Sequence, residues 1–495
     1  MANLGHWATI ESFIRAELIP SYVDGEDKSR IFAYDLYESI YWTAPESFKL
    51  TMRGQEGQPL YIPSGRKIVD TVHRYMAPKM TVKTDPTFGT PAQQEEATLF
   101  FNDFAAREKF YSKFSSAKLY GIMRGDWLFH IMADPERVEG ARVSIFAQHP
   151  GTYFPVFAED DPTERIGVKL VEPGLKPDGK PAVNVLEYTK LTGTGGPSPI
   201  EVSNIQYEVD GWGQPETDMG TKVVATIAPT FTLPPPIDAI PVYHLPNMYE
   251  TDFTWGSSEM RGVELMMRGI NQAITDEELA LVLEGLGVYT TDAGAPIDEE
   301  TEEELPWTVA PGRVIELPAG HTFNRVSGVS SVTPYMEHLN YLHTQLESTT
   351  GQNDITNGRA EVAVAESGIA LALRMAPILS KMEEKELVVT DILNHLLFDI
   401  RRWFDAYEPL SFEEIRWVPQ YGDKMPRNKQ QEFNDVMAMY SSVPPLISGA
   451  EARRMLTSLG FTFTEEGALT GEIQRDLTTT ADAEASRILG GVSGP

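Results

Sequence analysis

A chain of 495 residues is too long for one hydrophobic core, so about two to four packed units are expected. With 41 basic side chains against 72 acidic ones, its formal charge of −31 opposes nucleic-acid binding except where cations are concentrated; it suits either plain solubility or a surface that DNA passes without sticking. The absence of cysteine excludes disulfides, thiolate metal sites and cysteine nucleophiles, and no stretch reaches the roughly 18 uncharged apolar residues of a membrane span.

Along the chain, the first 20 residues carry Glu11, Arg15 and Glu17 and show neither a basic start nor a small-residue cleavage site, so a soluble chain without a signal peptide is expected. Residues 1–120 read as mostly helical. Phe100, Phe104, Tyr111 and Phe114 form one apolar stripe behind an acidic first turn at Glu95 and Glu96. At Asp126 the period changes to two: Trp127, Phe129 and Ile131 alternate with Leu128, His130 and Met132. Further strands are expected near Val143 to Phe146, Gly167 to Val171 and Val183 to Tyr188. Clusters at Gly193 to Pro199 and Leu233 to Pro236 mark loops, the second a stiff link into Ala239 to His244.

Helical spacing returns at Trp255, with Ser257 or Ser258 as N-cap and Val263, Met266, Met267, Ile270 and Ile274 on one stripe, and it stops at Gly285 and Gly287. Residues 288–332 form a strand-and-turn insert carrying Asp298, Glu299, Glu300, Glu302, Glu303 and Glu304, an acidic run that serves as a solvated face or as a projecting module. A second helix spans Thr333 to about Thr349. The polar loop Gly351 to Arg359 leads into a long helix from Glu366 to Phe404, about 60 Å at 1.5 Å per residue, which Pro377 should kink. Shorter helices are expected at Lys429 to Tyr440, Ser448 to Leu459 and Ile473 to Leu489.

Catalytic signatures are missing. The closest histidines, His338 and His343, miss the spacing that places two metal ligands on one helix face. The Gly193-Thr-Gly-Gly turn lacks the lysine of a phosphate loop, and no Gly-x-Ser-x-Gly occurs. No cofactor and no enzymatic activity are therefore expected. A hydrolase or nucleotide-dependent enzyme built on residues 126–250 is an alternative that a nucleotide or divalent-metal thermal-shift screen would expose.

Several short segments, taken in order, resemble the portal proteins of tailed bacteriophages. They are Leu36-Tyr-Glu-Ser-Ile-Tyr-Trp, Tyr120-Gly121 with Gly125-Asp126, His149-Pro150 through Phe154-Pro-Val-Phe, and His244-Leu-Pro-Asn before Gly256-Ser-Ser-Glu-Met with Asn271 and Asp276. Leu317-Pro-Ala-Gly and Glu366-Ser-Gly-Ile-Ala-Leu follow, so the resemblance covers about residues 30–410; the acidic, cysteine-free variety is similar to portals of siphophages that infect actinobacteria.

The resemblance implies an α+β subunit with an α/β wing (1–255 and 351–415), two stem helices (256–287 and 333–350), a β-containing clip (288–332), a long kinked helix and a helical crown (416–495). Twelve copies would form a ring at one capsid vertex of the virion, a channel for double-stranded DNA. Terminase large subunit, head–tail adaptor, major capsid protein and a scaffolding protein would be partners. Gln352, Asn353, Asp354, Thr356, Asn357 and Arg359 would form the tunnel loop beside the DNA, and the acidic run would dock partners. The alternative within the virion is a capsid or tail component without a DNA channel.

Overall fold

The structure, a computed structural model, describes residues 25–51, 59–161, 164–175, 181–191, 198–208, 223–248, 254–286, 288–295, 297, 304, 317–326, 333–352, 368–409, 412–424, 429–441 and 446–458. It is an α+β chain that divides into two compact units, residues 1–422 and 423–495.

Helices α1 (Gly25–Tyr41), α2 (Pro45–Phe48) and α3 (Ser64–Tyr75) lead to strand β1 (Thr81–Thr84), followed by α4 (Pro91–Glu108) and α5 (Phe110–Arg124). Helix α4 begins earlier than its acidic residues suggest. Thr90 and Gln93 close a capping box ahead of Pro91, which leaves Glu95 and Glu96 beyond the first turn. The aromatic stripe is also split between two helices, because Lys109 adopts a left-handed φ of 52° between α4 and α5. Across the break Phe110 packs on Phe101 and Phe104, which in turn meet Trp417 and Phe404 from much later in the chain.

Strands β2 (Asp126–Ala133), β3 (Val143–Gln148) and β9 (Val242–Pro246) form a three-stranded antiparallel sheet with β2 in the centre. A second, five-stranded antiparallel sheet runs in chain order through β4 (Tyr153–Phe157), β5 (Arg165–Leu175), β6 (Pro181–Lys190), β7 (Ile200–Glu208) and β8 (Val223–Thr232). Strand β2 is buried on both faces over Asp126–Ile131. Trp127 and Phe129 pack on Phe114 of α5, and the bare Gly121 gives the indole room. His130, on the other face, meets the Tyr188 hydroxyl of β6 at 2.7 Å.

That histidine makes the fold acid-sensitive. Burial pushes its pKa down to about 3, whereas an unfolded chain takes up the proton near 6.5. The unfolded state therefore binds more protons throughout that window, and stability falls as pH drops through it. Urea unfolding at pH 5 should show about 2 kcal/mol less stability from this group than at pH 7. A flat profile would contradict the burial.

Helix α6 (Glu264–Leu286), hairpin strands β10 (Val288–Thr291) and β11 (Phe323–Val326), and helix α7 (Thr333–Thr350) follow. The 40-residue α8 (Gly368–Tyr407), with Pro377 inside it, then spans the unit, and β12 (Trp417–Gln420) pairs antiparallel with β1. In the second unit α9 (Lys429–Ser441) and α10 (Gly449–Ser458) share a small apolar contact built on Val436, Ala452 and Leu456. The expected helix at Ile473 to Leu489 lies outside the described residues.

Candidate functional site: the junction beneath the helix pair

Four segments remote in sequence meet where α5 passes into β2. Gly125 ends α5 with φ 114°, and its carbonyl accepts the Asn247 amide at 2.6 Å. The next residue, Asp126, is fully buried. Its carboxylate accepts from the Tyr34 hydroxyl (2.5 Å) and the Gly256 amide (2.7 Å) and contacts His244 Nε2 at 2.6 Å. Burial, followed by the Asp126 charge, holds the Tyr34 phenol well above its ordinary pKa, so it remains a donor. Arg30 braces the arrangement: its guanidinium lies 3.8 Å from the Trp255 ring centroid and donates to the carbonyls of Pro150 and Tyr153.

A second buried cluster adjoins the first. Glu259, with a side chain only 1% exposed, accepts from Lys385 Nζ at 2.7 Å and from Lys381, one turn apart on α8. Burial alone would raise the Glu259 pKa, but the two ammonium groups outweigh it and bring it down to about 2. Lys385 also donates to Asn247 Oδ1 (2.8 Å), and Asn247 Nδ2 donates to the Ser257 carbonyl (2.9 Å). Ser258 Oγ donates to Met123 O and accepts from the Met260 amide. Both serines therefore belong to a buried turn, and α6 starts at Glu264, later than expected from an N-cap at Ser257 or Ser258.

Above this junction, α6 is fastened to the preceding chain by side chains that replace a sheet partner. Asn271 Oδ1 accepts the Ile62 amide, Thr275 Oγ1 the Leu60 amide and Gln272 Oε1 the Thr51 amide, while Arg268 donates to Lys49 O. Tyr37 donates to Glu264 at 2.8 Å, and Glu38 pairs with Arg124 at 2.6 Å. Helix α7 packs beside α6, and the two carry the β10–β11 hairpin, where Tyr289 stacks on Phe323 and Asp292 accepts the Thr322 amide. Large apolar groups remain on the outside of the pair, among them Leu265 (79% exposed), Met336 and Tyr341.

Gln352, one of the residues expected in the tunnel loop, is buried, and its amide donates to Ile68 O at 2.9 Å, pinning the end of α7 to α3. Asn353, Asp354, Thr356, Asn357 and Arg359 lie outside the described residues, as do Asp298, Glu299, Glu300, Glu302 and Glu303. Glu304 is described and forms an isolated antiparallel bridge with Ile297. Pro377 sits on the exposed side of α8. The junction residues that sequence reading passed over are Arg30, Tyr34, Lys381 and Lys385. A lysine on the buried stripe Ile378, Met382, Val389 and Leu393 was the signal available for Lys385.

Among the described residues no cluster of three or more His, Asp or Glu is placed to hold a metal ion, and no helix is long and apolar enough to cross a membrane. No protein-family model matches the chain, and no curated protein sequence matches it. Among solved structures it is similar to a chain from the neck of a native GTA particle computed with C12 symmetry, at 11% identity and a TM-score of 0.41, covering 86% of this chain and 100% of that one. It is also similar to a chain from the neck of an empty GTA particle computed with C6 symmetry, at 13% identity and a TM-score of 0.45, covering 83% of this chain and 98% of that one.

Proposed function

We propose that this chain is a portal-type subunit of a tailed-phage particle, whose copies close into a ring at one capsid vertex and leave a channel for double-stranded DNA. The observation that carries this reading is the convergence at the junction. Gly125 and Asp126, His244 and Asn247, and Gly256 to Glu259 come from segments that resemble portal proteins and meet in the turn ahead of α6; from another such segment Tyr37 bonds Glu264 in the first turn of α6 and Glu38 pairs with Arg124 of α5. A rigid base under a helix pair whose outside keeps exposed apolar groups suits a stem that packs against its neighbours in a ring.

On this reading the hairpin module and its acidic run dock the terminase and later the head–tail adaptor. An excess of carboxylates keeps DNA phosphates from binding tightly, and Arg359, which follows α7 in the sequence, supplies a local basic contact. Negative-stain imaging of the purified protein should show rings with a central hole. Filaments, shells or monomers at all concentrations would reject the portal reading.

A further inference from the structure

One face of α8 holds charges that nothing in the described chain answers. Glu383, Glu384 and Asp391 line a groove of about 680 Å³ on that face, with Leu387 standing 73% exposed at its edge. Glu386, which also lines it, is used to accept the Ala77 amide at 2.7 Å, and the Thr390 and Tyr421 hydroxyls bond each other. The other three carboxylates have no ion-pair or hydrogen-bond partner among the described residues. Three like charges within about two turns repel one another, and an exposed leucine among them adds nothing to solubility.

The opposite charge is concentrated at the corner between α3 and β1. Arg74, Lys79 and Lys83 are exposed there, the sequence holds no carboxylate between Asp70 and Asp85, and none of the three cations has an ion-pair partner among the described residues. In a chain of formal charge −31 this is an unusual concentration of unpaired cations. The two elements touch within the chain at the Ala77–Glu386 hydrogen bond, yet no ion pair joins the two charged sets.

We propose that the acidic groove on α8 receives the Arg74–Lys83 corner of a second copy of this chain, with Leu387 in the dry centre of the contact. The occupant follows from charge complementarity. The groove offers acceptors and an apolar edge, and the corner offers donors and no acid. A patch that meets a different patch on its neighbour is also what a closed ring requires. The inference rests on the ring reading above and adds which surfaces meet. Charges so placed steer association and fix register, and they weaken with added salt.

The test is charge exchange, with self-association followed by analytical ultracentrifugation and ring closure by imaging. Glu383→Lys with Glu384→Lys, or Arg74→Glu with Lys83→Glu, should each weaken self-association roughly a hundredfold, since like charges then face each other. Combining all four changes in one chain should restore assembly. All four side chains are exposed, so unchanged thermal midpoints are expected, and they separate a lost contact from a lost fold.

Wild-type rings that persist unchanged in both single-face variants would overturn the contact while leaving the ring reading intact, and would assign the groove to a different, basic partner. Association that responds to the exchange but never closes into rings would support the contact and reject the ring. No self-association in any chain would overturn both.

Discussion

Replacing Glu259 by glutamine should cost the first unit about 3–5 kcal/mol, because it leaves the Lys385 ammonium buried without a counter-charge. The substitution keeps the shape and an acceptor oxygen, so the loss reports charge and not volume. Lys385 has little alternative, since its remaining acceptors are the Oδ1 and carbonyl of Asn247. Burial already lowers its pKa, and removing Glu259 should lower it further, so the variant should regain stability as pH rises and the amine sheds its proton.

The wild type shows a slope of the same sign at the acid end. With Glu259 held at about 2, against 4.5 for an unperturbed side chain, its contribution is complete above about pH 4.5 and is lost as pH falls through 4.5 toward 2. Chemical denaturation of Glu259→Gln and of Glu259→Gln with Lys385→Met measures the coupling. The double variant should recover part of the loss, because neither charge then remains buried alone. If the single variant unfolds at the wild-type denaturant concentration, the buried pair is not what holds α8 to the junction.

Gly256→Ala should be at least as damaging. A Cβ at that position would lie against the Gly125 carbonyl, 2.8 Å from the Asn247 amide nitrogen and 2.9 Å from an Asp126 carboxylate oxygen. Two of these neighbours are backbone, and the third is held by three partners, so none can retreat without breaking the hydrogen bonds just described. A loss of about 4 kcal/mol or more is expected, in the range of the most harmful single substitutions. Gly269→Ala is the matched control. It lies inside α6 with open space where the methyl would go, and it should gain about 0.5–1 kcal/mol from helix propensity. Thermal midpoints of the two variants should move in opposite directions, and a common direction would refute the close backbone approach.

Much of the fold could be read locally, and the failures share one cause. The second helix of the pair was expected from Thr333 to about Thr349 and spans Thr333–Thr350, because its apolar spacing is uninterrupted. The long helix runs Gly368–Tyr407 against an expectation of Glu366 to Phe404. Strands β3, β5 and β6 lie where period-two runs of valine, isoleucine and tyrosine placed them, whereas β7 and β8 went unread. In β7 the adjacent Ser203 and Asn204 break the alternation between Val202 and Ile205, where the pairing with β8 also shifts register, and β8 contains Pro229, which an edge strand tolerates.

The start of α6 was misplaced because Ser257 and Ser258, which look like caps in isolation, are taken up by bonds to Asn247 and Met123. The motif segments were visible as strings of residues. That Tyr34, Asp126, His244 and Gly256 would meet was not, since no local periodicity encodes contacts between residues 92 to 130 positions apart.

The pairing of β1 with β12 has a consequence for synthesis. Among the described residues Thr81 to Thr84 find their only strand partner in Trp417 to Gln420, and the Trp417 indole also seals the aromatic cluster around Phe101 and Phe404. A nascent chain must therefore leave the ribosome almost to the end of its first unit before the opening helices are covered. Until then their apolar faces stay wet and open to chaperones or to aggregation. A chain stopped before Trp417 should be insoluble, whereas one ending just after Gly422 should fold.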